Sequence, residues 1–126
     1  MSPLTILGWI LLIAFILYYI WKYLSFKKMA KQIDNQTFKE MMPQSQIIDL
    51  REPAAFHQKH ILGARNFPYQ QFEASMSSLR RDKAILLYEN GKTRFAPGAV
   101  KKLKKAGFND IYLLRDGFDF WDGKTK

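Results

Sequence analysis

The feature that most constrains this chain is its first stretch, which carries no charged side chain from Met1 to Trp21. About 19 helical residues at roughly 1.5 Å each span about 28 Å, close to the hydrocarbon thickness of a bilayer. A cleaved signal peptide would begin with Lys or Arg and end in small residues, and this stretch does neither. An apolar helix without a polar face also fits a membrane span better than a buried core helix. We predict a transmembrane anchor over 1–24, a basic juxtamembrane linker over 25–32 and a domain over 33–126.

Positive charge flanks only one end of the predicted span. No Lys or Arg precedes it, whereas Lys22, Lys27, Lys28 and Lys31 follow it directly. Cytoplasmic flanks of membrane helices carry an excess of basic residues. We therefore expect a single-pass protein of the cell membrane, with its N-terminus outside and its domain in the cytoplasm.

The net charge of +9 arises entirely after residue 21. Residues 90–109 contain no acid and carry the second basic cluster, which consists of Lys92, Arg94, Lys101, Lys102, Lys104 and Lys105. Such clusters attract anionic lipid headgroups, and a solvated helix face is the alternative explanation. Nucleic acid is not expected as a partner, because neither a recognised motif nor interleaved aromatic residues accompany these lysines.

Downstream of the span, short apolar runs alternate with helical patterns. The runs at 46–50, 64–67, 84–88 and 111–114 predict β-strands, and helices are predicted over 34–42, 53–58, 72–79 and 96–106. Strands and helices that alternate in this way form a parallel sheet. The predicted fold class is therefore α/β, a parallel sheet flanked by helices and preceded by one transmembrane helix.

Two segments carry a long motif. Residues 49–68 read Asp-Leu-Arg-Glu-Pro-Ala-Ala-Phe-His-Gln-Lys-His-Ile-Leu-Gly-Ala-Arg-Asn-Phe-Pro, which resembles the first signature of the rhodanese family, Asp-x-Arg-x-x-x-x-Phe-x-x-Gly-His-Ile-x-Gly-Ala-x-x-Ile-Pro. Residues 114–121 are similar to the closing Leu-x-Gly-Gly-x-x-x-Trp, with Asp116 at the first glycine; since Asp tolerates left-handed backbone, the turn is expected to survive. The resemblance covers 33–121 and implies a rhodanese-like fold. It implies structural roles for Asp49, Arg51, His60 and Gly63.

Between these signatures the family carries its active-site loop, Cys-x-x-x-x-Arg, whose cysteine takes up sulfur as a persulfide in active members. Alignment on Tyr88 places Glu89 at the cysteine position and Arg94 at the closing basic position. The sequence contains no cysteine, so this intermediate cannot form on the chain. The resemblance therefore implies a sulfurtransferase-like domain without a catalytic residue.

The loop remains a candidate anion- or partner-binding site, because loop N–H groups and a helix N-terminus converge there. Glu89 would either hold its carboxylate where the persulfide would sit, paired with Lys92 or Arg94 and with loop N–H groups, or point away and leave a pocket for phosphate or an acidic side chain. An ordinary exposed glutamate is the third possibility. The candidate site comprises Glu89, Asn90, Gly91, Lys92, Thr93 and Arg94.

The function predicted from these observations is a membrane-anchored, non-catalytic module that binds or regulates an unidentified protein partner. The alternative is an enzyme that handles phosphate or sulfur anions through Glu89, or through a cysteine supplied by a partner. No histidine stands near Glu89 in the sequence to activate it. No cofactor is expected, and no metal either, since His57 and His60 have no evident third ligand.

Overall fold

In the computed structural model, which describes residues 1–126 apart from the side chain of Met29, the apolar stretch forms one helix. Helix α1 runs from Pro3 to Met29. Ser2 caps it by accepting the Thr5 N–H at 3.2 Å, and Pro3 takes the first helical position, where no N–H is needed. Among the described residues, α1 is the one helix long and apolar enough to cross a bilayer.

The end of α1 belongs to the folded domain. Phe26 and Ala30 are buried in its core, and strand β1 (Lys31–Ile33) begins directly afterwards. The segment 25–32 therefore contains the last turn of a helix and two residues of a strand. The sequence does not reveal β1, because its three residues include only one apolar side chain; pairing with a neighbouring strand creates it.

Five parallel strands form one sheet in the order β1-β5-β4-β2-β3. The other strands are β2 (Ser45–Asp49), β3 (Arg65–Asn66), β4 (Ala84–Tyr88) and β5 (Ile111–Leu114). The register pairs Asp49 with both Tyr88 and Asn66, so β2, β3 and β4 end level with one another. The predicted α/β class and parallel sheet are confirmed, and the bounds of β4 and β5 match the prediction.

Four shorter helices accompany the strands: α2 (Asn35–Met41), α3 (Pro53–Gln58), α4 (Phe72–Ser75) and α5 (Ala96–Lys105). The predicted bounds of α2, α3 and α5 agree with these to within about a residue. The helix predicted over 72–79 is shorter, because 3-10 turns at 69–71 and 76–78 flank α4. Ser75 and Ser78 donate their hydroxyls to nearby backbone carbonyls, a competition that disfavours a continuous helix.

The sheet separates two clusters of buried side chains. The first lies under α4, α5 and the end of α1, and the second lies under α2 and the C-terminal segment. Successive residues of β4 alternate between them: Ile85 and Leu87 join the first cluster, and Leu86 and Tyr88 join the second. A strand buried on both faces needs apolar residues throughout, which explains why β4 reads as a continuous apolar run.

Candidate functional site

The candidate loop connects the carboxyl end of β4 to the N-terminus of α5. In open parallel sheets, ligands bind at this edge. The first N–H groups of a helix have no partner within the helix and need an acceptor from elsewhere. Phe95 occupies the capping position of α5, and its side chain forms no capping hydrogen bond.

Glu89 supplies the missing acceptor. The residue is 7% exposed, and its side chain turns into the loop. Oε1 accepts the Phe95 N–H at 2.7 Å, while Oε2 accepts the N–H groups of Arg94 at 3.1 Å and Ala96 at 3.0 Å. The N–H groups that an external anion would need are therefore already engaged by a side chain of the same chain.

The two cations of the loop do not pair with this carboxylate. Lys92 and Arg94 are exposed, and among the described side chains neither forms an ion pair with Glu89. The Arg94 guanidinium instead lies 4.7 Å from the centroid of the Phe95 ring. The expectation of pairing with Lys92 or Arg94 is therefore wrong, and backbone N–H groups take that role because they lie next to the carboxylate at the start of α5.

The C-terminal turn fixes the start of the loop. The Phe118 N–H donates to the Glu89 carbonyl at 2.8 Å, and the Asp119 N–H donates to the Asn90 carbonyl at 2.7 Å. Gly117 has a φ of +76°, and a Cβ there would collide with the backbone of Asn90, so the turn requires glycine. Asp116 keeps a negative φ, so the turn does not depend on the left-handed backbone expected at this position.

A buried ion pair lies behind the loop. Asp49 is fully buried and Arg51 is 8% exposed; Arg51 Nη2 donates to Asp49 Oδ2 at 2.8 Å. Burial lowers the pKa of Arg51, but the hydrogen bonds and charge of Asp49 outweigh that effect and leave this pKa raised. Arg51 also donates to the Lys59 carbonyl at 2.7 Å and lies 4.2 Å from the Phe118 ring centroid. It thus links the end of β2 to the segment after α3 and to the C-terminal turn.

Three further residues, Tyr88, His60 and Gly63, hold the backbone near this ion pair. The Tyr88 phenol accepts the Ile61 N–H at 3.1 Å, and burial raises the pKa of Tyr88. His60 stacks on Phe56 with centroids 3.8 Å apart, and its Nδ1 lies 2.8 Å from the Phe56 carbonyl oxygen. Gly63 has a φ of +87° in the turn that follows. None of these three residues lines the cleft described next.

A cleft of about 450 Å³ opens above the loop. It is lined by Leu50, Arg51, Glu52, Ala55, Glu89, Asn90, Gly91, Lys92, Arg94, Phe95 and Asp119. Thr93 lies outside this lining. Glu52 and Asp119 are cleft residues that the loop sequence does not predict, because they come from the start of α3 and from the C-terminal turn. For Asp119, the closing motif around it is the one sequence signal that points to the site.

Comparison with known proteins assigns the family. The family model of the Rhodanese-like domain matches residues 34–124. Uncharacterized protein YqhL of Bacillus subtilis is 37% identical over 126 residues, which are 100% of this chain and 98% of that protein. Thiosulfate sulfurtransferase GlpE of Vibrio cholerae is 28% identical over 93 residues, 71% of this chain and 85% of that protein.

Solved structures share the fold. The rhodanese-like domain of an Anabaena protein superposes with a TM-score of 0.67 at 28% identity, covering 75% of this chain and 77% of that one. A Bacillus halodurans protein gives a TM-score of 0.69 at 23% identity, with 79% of each chain covered. The chain therefore belongs to the rhodanese-like family. It is a member without cysteine, and so it has no thiol on which a persulfide could form.

Proposed function

We propose that this protein is a membrane-anchored, non-catalytic rhodanese-like module that binds a partner through the surface around loop 89–94. The observation that carries the proposal is the Glu89 carboxylate, which accepts the N–H groups of residues 94–96. In members that keep the cysteine, the resemblance implies that such N–H groups stabilise the persulfide anion. Here the Glu89 carboxylate takes the place of that anion and accepts the N–H groups at the start of α5.

The same hydrogen bonds argue against a catalytic role for Glu89. A general base or nucleophile needs to reach the substrate, and its activation requires a suitably placed partner. Three N–H donors hold the Glu89 carboxylate within the loop, and the residue is 7% exposed. An anion-handling enzyme would need this carboxylate displaced, and a cysteine supplied by a partner would meet a loop that is already filled. The non-catalytic function is the better supported of the two.

The surface left for a partner is the cleft and its rim. Lys92 and Arg94 are exposed and belong to none of the described ion pairs. Glu52 and Asp119 bring negative charge to the same cleft. Charges of both signs cancel much of the attraction for a small anion, whereas a protein surface can place opposite charges against each of them. We therefore infer a protein partner.

The location proposed for this module is the cytoplasmic side of the cell membrane. Helix α1 supports the anchor by its length and apolar composition. The basic residues that follow the span support an external N-terminus, because such residues favour the cytoplasmic side.

The test is a titration of the full chain in detergent micelles with thiosulfate, sulfate and phosphate, followed through the NMR shifts of amides 89–98. We expect no localised shifts in the wild type and clear shifts at residues 94–96 in Glu89→Ala. Glu52→Ala, which alters the cleft rim, is the control and should behave as the wild type does. Localised shifts in the wild type would argue against a self-filled loop. Sulfur transfer from thiosulfate to cyanide above that of Arg94→Ala would overturn the non-catalytic function.

A further inference from the structure

Helix α5 separates its apolar and basic residues. Ala96, Ala99, Val100 and Leu103 are fully buried against the sheet. The basic residues on its other sides are Lys101, Lys102, Lys104 and Lys105. Because residues three or four apart share one side of a helix, the four lysines do not all face the same way.

Tyr69 marks one flank of α5. Its hydroxyl approaches Gly98 so closely that a Cβ there would collide with it, and Lys102 Nζ lies 4.6 Å from its ring centroid. Gly98 and Lys102 are four residues apart and define this flank. At 3.6 residues per turn, Lys101 and Lys104 lie on the flank opposite Lys102, and Lys105 points away from the sheet between the two.

The end of α1 lies on that opposite flank. Helix α5 connects β4 to β5, at the middle of the sheet. Tyr69 follows β3, at one edge of the sheet, whereas α1 leads into β1, at the other edge. Phe26 of α1 joins the same buried cluster as Val100 and Leu103 of α5. The last turn of α1, which carries Lys27 and Lys28, therefore packs beside the Lys101 and Lys104 flank.

This flank lies close to the membrane that α1 is proposed to cross. Tyr23, the last exposed aromatic residue of α1, precedes the buried Phe26 by three residues, about 4.5 Å along a helix. Aromatic residues of this kind mark the level of the headgroups. The domain therefore begins at the headgroup level, with no extended tether between it and the span.

We propose that these basic residues form one surface that binds anionic phospholipid headgroups of the membrane crossed by α1, and that the contact holds the domain in one orientation. The surface consists of Lys27, Lys28, Lys101, Lys104 and Lys105. No acidic residue occurs in α1 or in residues 90–109, so no acid of these two segments opposes the attraction. This surface is separate from the cleft, and the inference rests on the membrane span proposed for α1 and not on the partner proposed at the cleft.

The absence of native cysteine allows a single introduced cysteine to report the position of the domain. A fluorophore at Asn109→Cys, just after α5, is measured with the full chain in nanodiscs that contain a lipid with a spin-labelled headgroup as quencher. The discs consist of phosphatidylcholine alone, or with about one third phosphatidylglycerol. We expect quenching to increase with phosphatidylglycerol and to fall in about 0.5 M salt. A label at Glu40→Cys on α2, which covers the opposite face of the sheet, should not change.

Charge variants identify the lysines responsible. The triple change Lys101→Gln, Lys104→Gln and Lys105→Gln should lower the ratio of docked to free domain about a hundredfold, and the corresponding Lys→Arg triple should retain docking. The control triple changes Lys59, Lys124 and Lys126 to Gln and so removes the same amount of charge. These lysines lie in or next to the backbone segments that pair around Ile61, on the other face of the sheet. Equal quenching in both kinds of disc, or equal loss in both Gln triples, would overturn the proposal.

Discussion

At residue 89, one side chain replaces both a bound anion and a helix cap. The Glu89 carboxylate accepts N–H groups from the loop and from the first turn of α5. A side chain held in place by its own chain does not lose translational freedom when it binds, so a free anion competes with it poorly. A rhodanese-like loop is thereby kept in a defined shape without a thiolate.

The first prediction concerns the stability that Glu89 confers. Glu89→Ala leaves one buried and two partly buried N–H groups without their acceptor and should lower the free energy of unfolding by about 2–3 kcal/mol. Sulfate or thiosulfate should restore part of this loss, because a ligand that binds only the folded state stabilises it. Urea unfolding of the full chain with and without anion measures both effects. If Glu89→Ala loses no more stability than Glu52→Ala, the cap has no energetic role.

The second prediction tests whether the loop geometry would still support sulfur chemistry. Glu89→Cys places a thiolate beside N–H groups that can stabilise a persulfide. We expect this variant to take sulfur from thiosulfate with release of sulfite and to pass it to cyanide as thiocyanate, whereas the wild type does not. Glu89→Ser, which lacks the thiol, is the matched control. A Glu89→Cys variant that remains folded yet inactive would mean that the loop itself has departed from the active geometry.

The third prediction concerns alkaline pH. Burial raises the pKa of Tyr88 above its ordinary value of 10.0, so the unfolded chain loses this proton before the folded chain does. The stability associated with Tyr88 is therefore fully present below pH 10 and decreases as the pH rises above it. Denaturation midpoints between about pH 8 and 11 should fall less steeply for Tyr88→Phe than for the wild type. Tyr69→Phe is the control, because it also removes one tyrosine hydroxyl but not the buried one of Tyr88. If the denaturation midpoints of all three proteins fall equally steeply with pH, the prediction is wrong.

At the scale of the element, α1 is continuous from the apolar span into the domain. Its last turn places Phe26 in the cluster that α5 and the sheet also form. A flexible linker would let the domain rotate about the anchor, whereas a helix packed into the core transmits the direction of the span. The elements at the domain boundary would thus fix how the cleft is presented relative to the membrane that α1 is proposed to cross.

The fourth prediction follows from this packing. Phe26→Ala removes a large side chain from the core and should destabilise the domain by about 3 kcal/mol. Tyr23→Ala, one turn earlier on the exposed part of the same helix, is the control and should change domain stability little. Hydrogen exchange of α5 and β1 amides in nanodiscs checks the result. Equal exchange in both variants would show that the end of α1 does not contribute to the core.

At the scale of the whole molecule, charge distribution and topology act together. All of the charged side chains follow residue 21, and the sheet places the end of α1 on the same face as α5. The cleft opens at the carboxyl edge of this sheet, where Glu89 already fills the loop. A module of this kind fits the proposed function, in which a partner is recruited to the membrane without a chemical step.

The fifth prediction tests the orientation. Ser2→Cys should react with a membrane-impermeant maleimide in intact cells, and Gln58→Cys in α3 should react only in inverted vesicles or after permeabilisation. The positive residues after the span favour this arrangement. Because the chain has no other cysteine, each label reports one site. The reverse pattern of labelling would place the domain outside.

The family, the parallel sheet and the absence of a thiol all follow from the sequence alone. Motif residues 49–68, the apolar run of β4 and the amphipathic pattern of α5 are local signals, and each keeps its meaning without knowledge of its neighbours. Cysteine content is a property of composition alone. These features therefore do not depend on contacts between distant parts of the chain.

The direction of the Glu89 carboxylate, by contrast, depends on tertiary contacts, because its three donors belong to residues 94–96 and their direction depends on how α5 begins. The same applies to Asp119, which reaches the cleft from the C-terminal turn, and to Phe26, which is buried by contacts distant in sequence. Strand β1 was not predicted for a related reason: it is an edge strand of only three residues, and its pairing with β5 is what makes it a strand. Local pattern specifies an element, whereas the partners of a side chain are specified by the packing of several elements together.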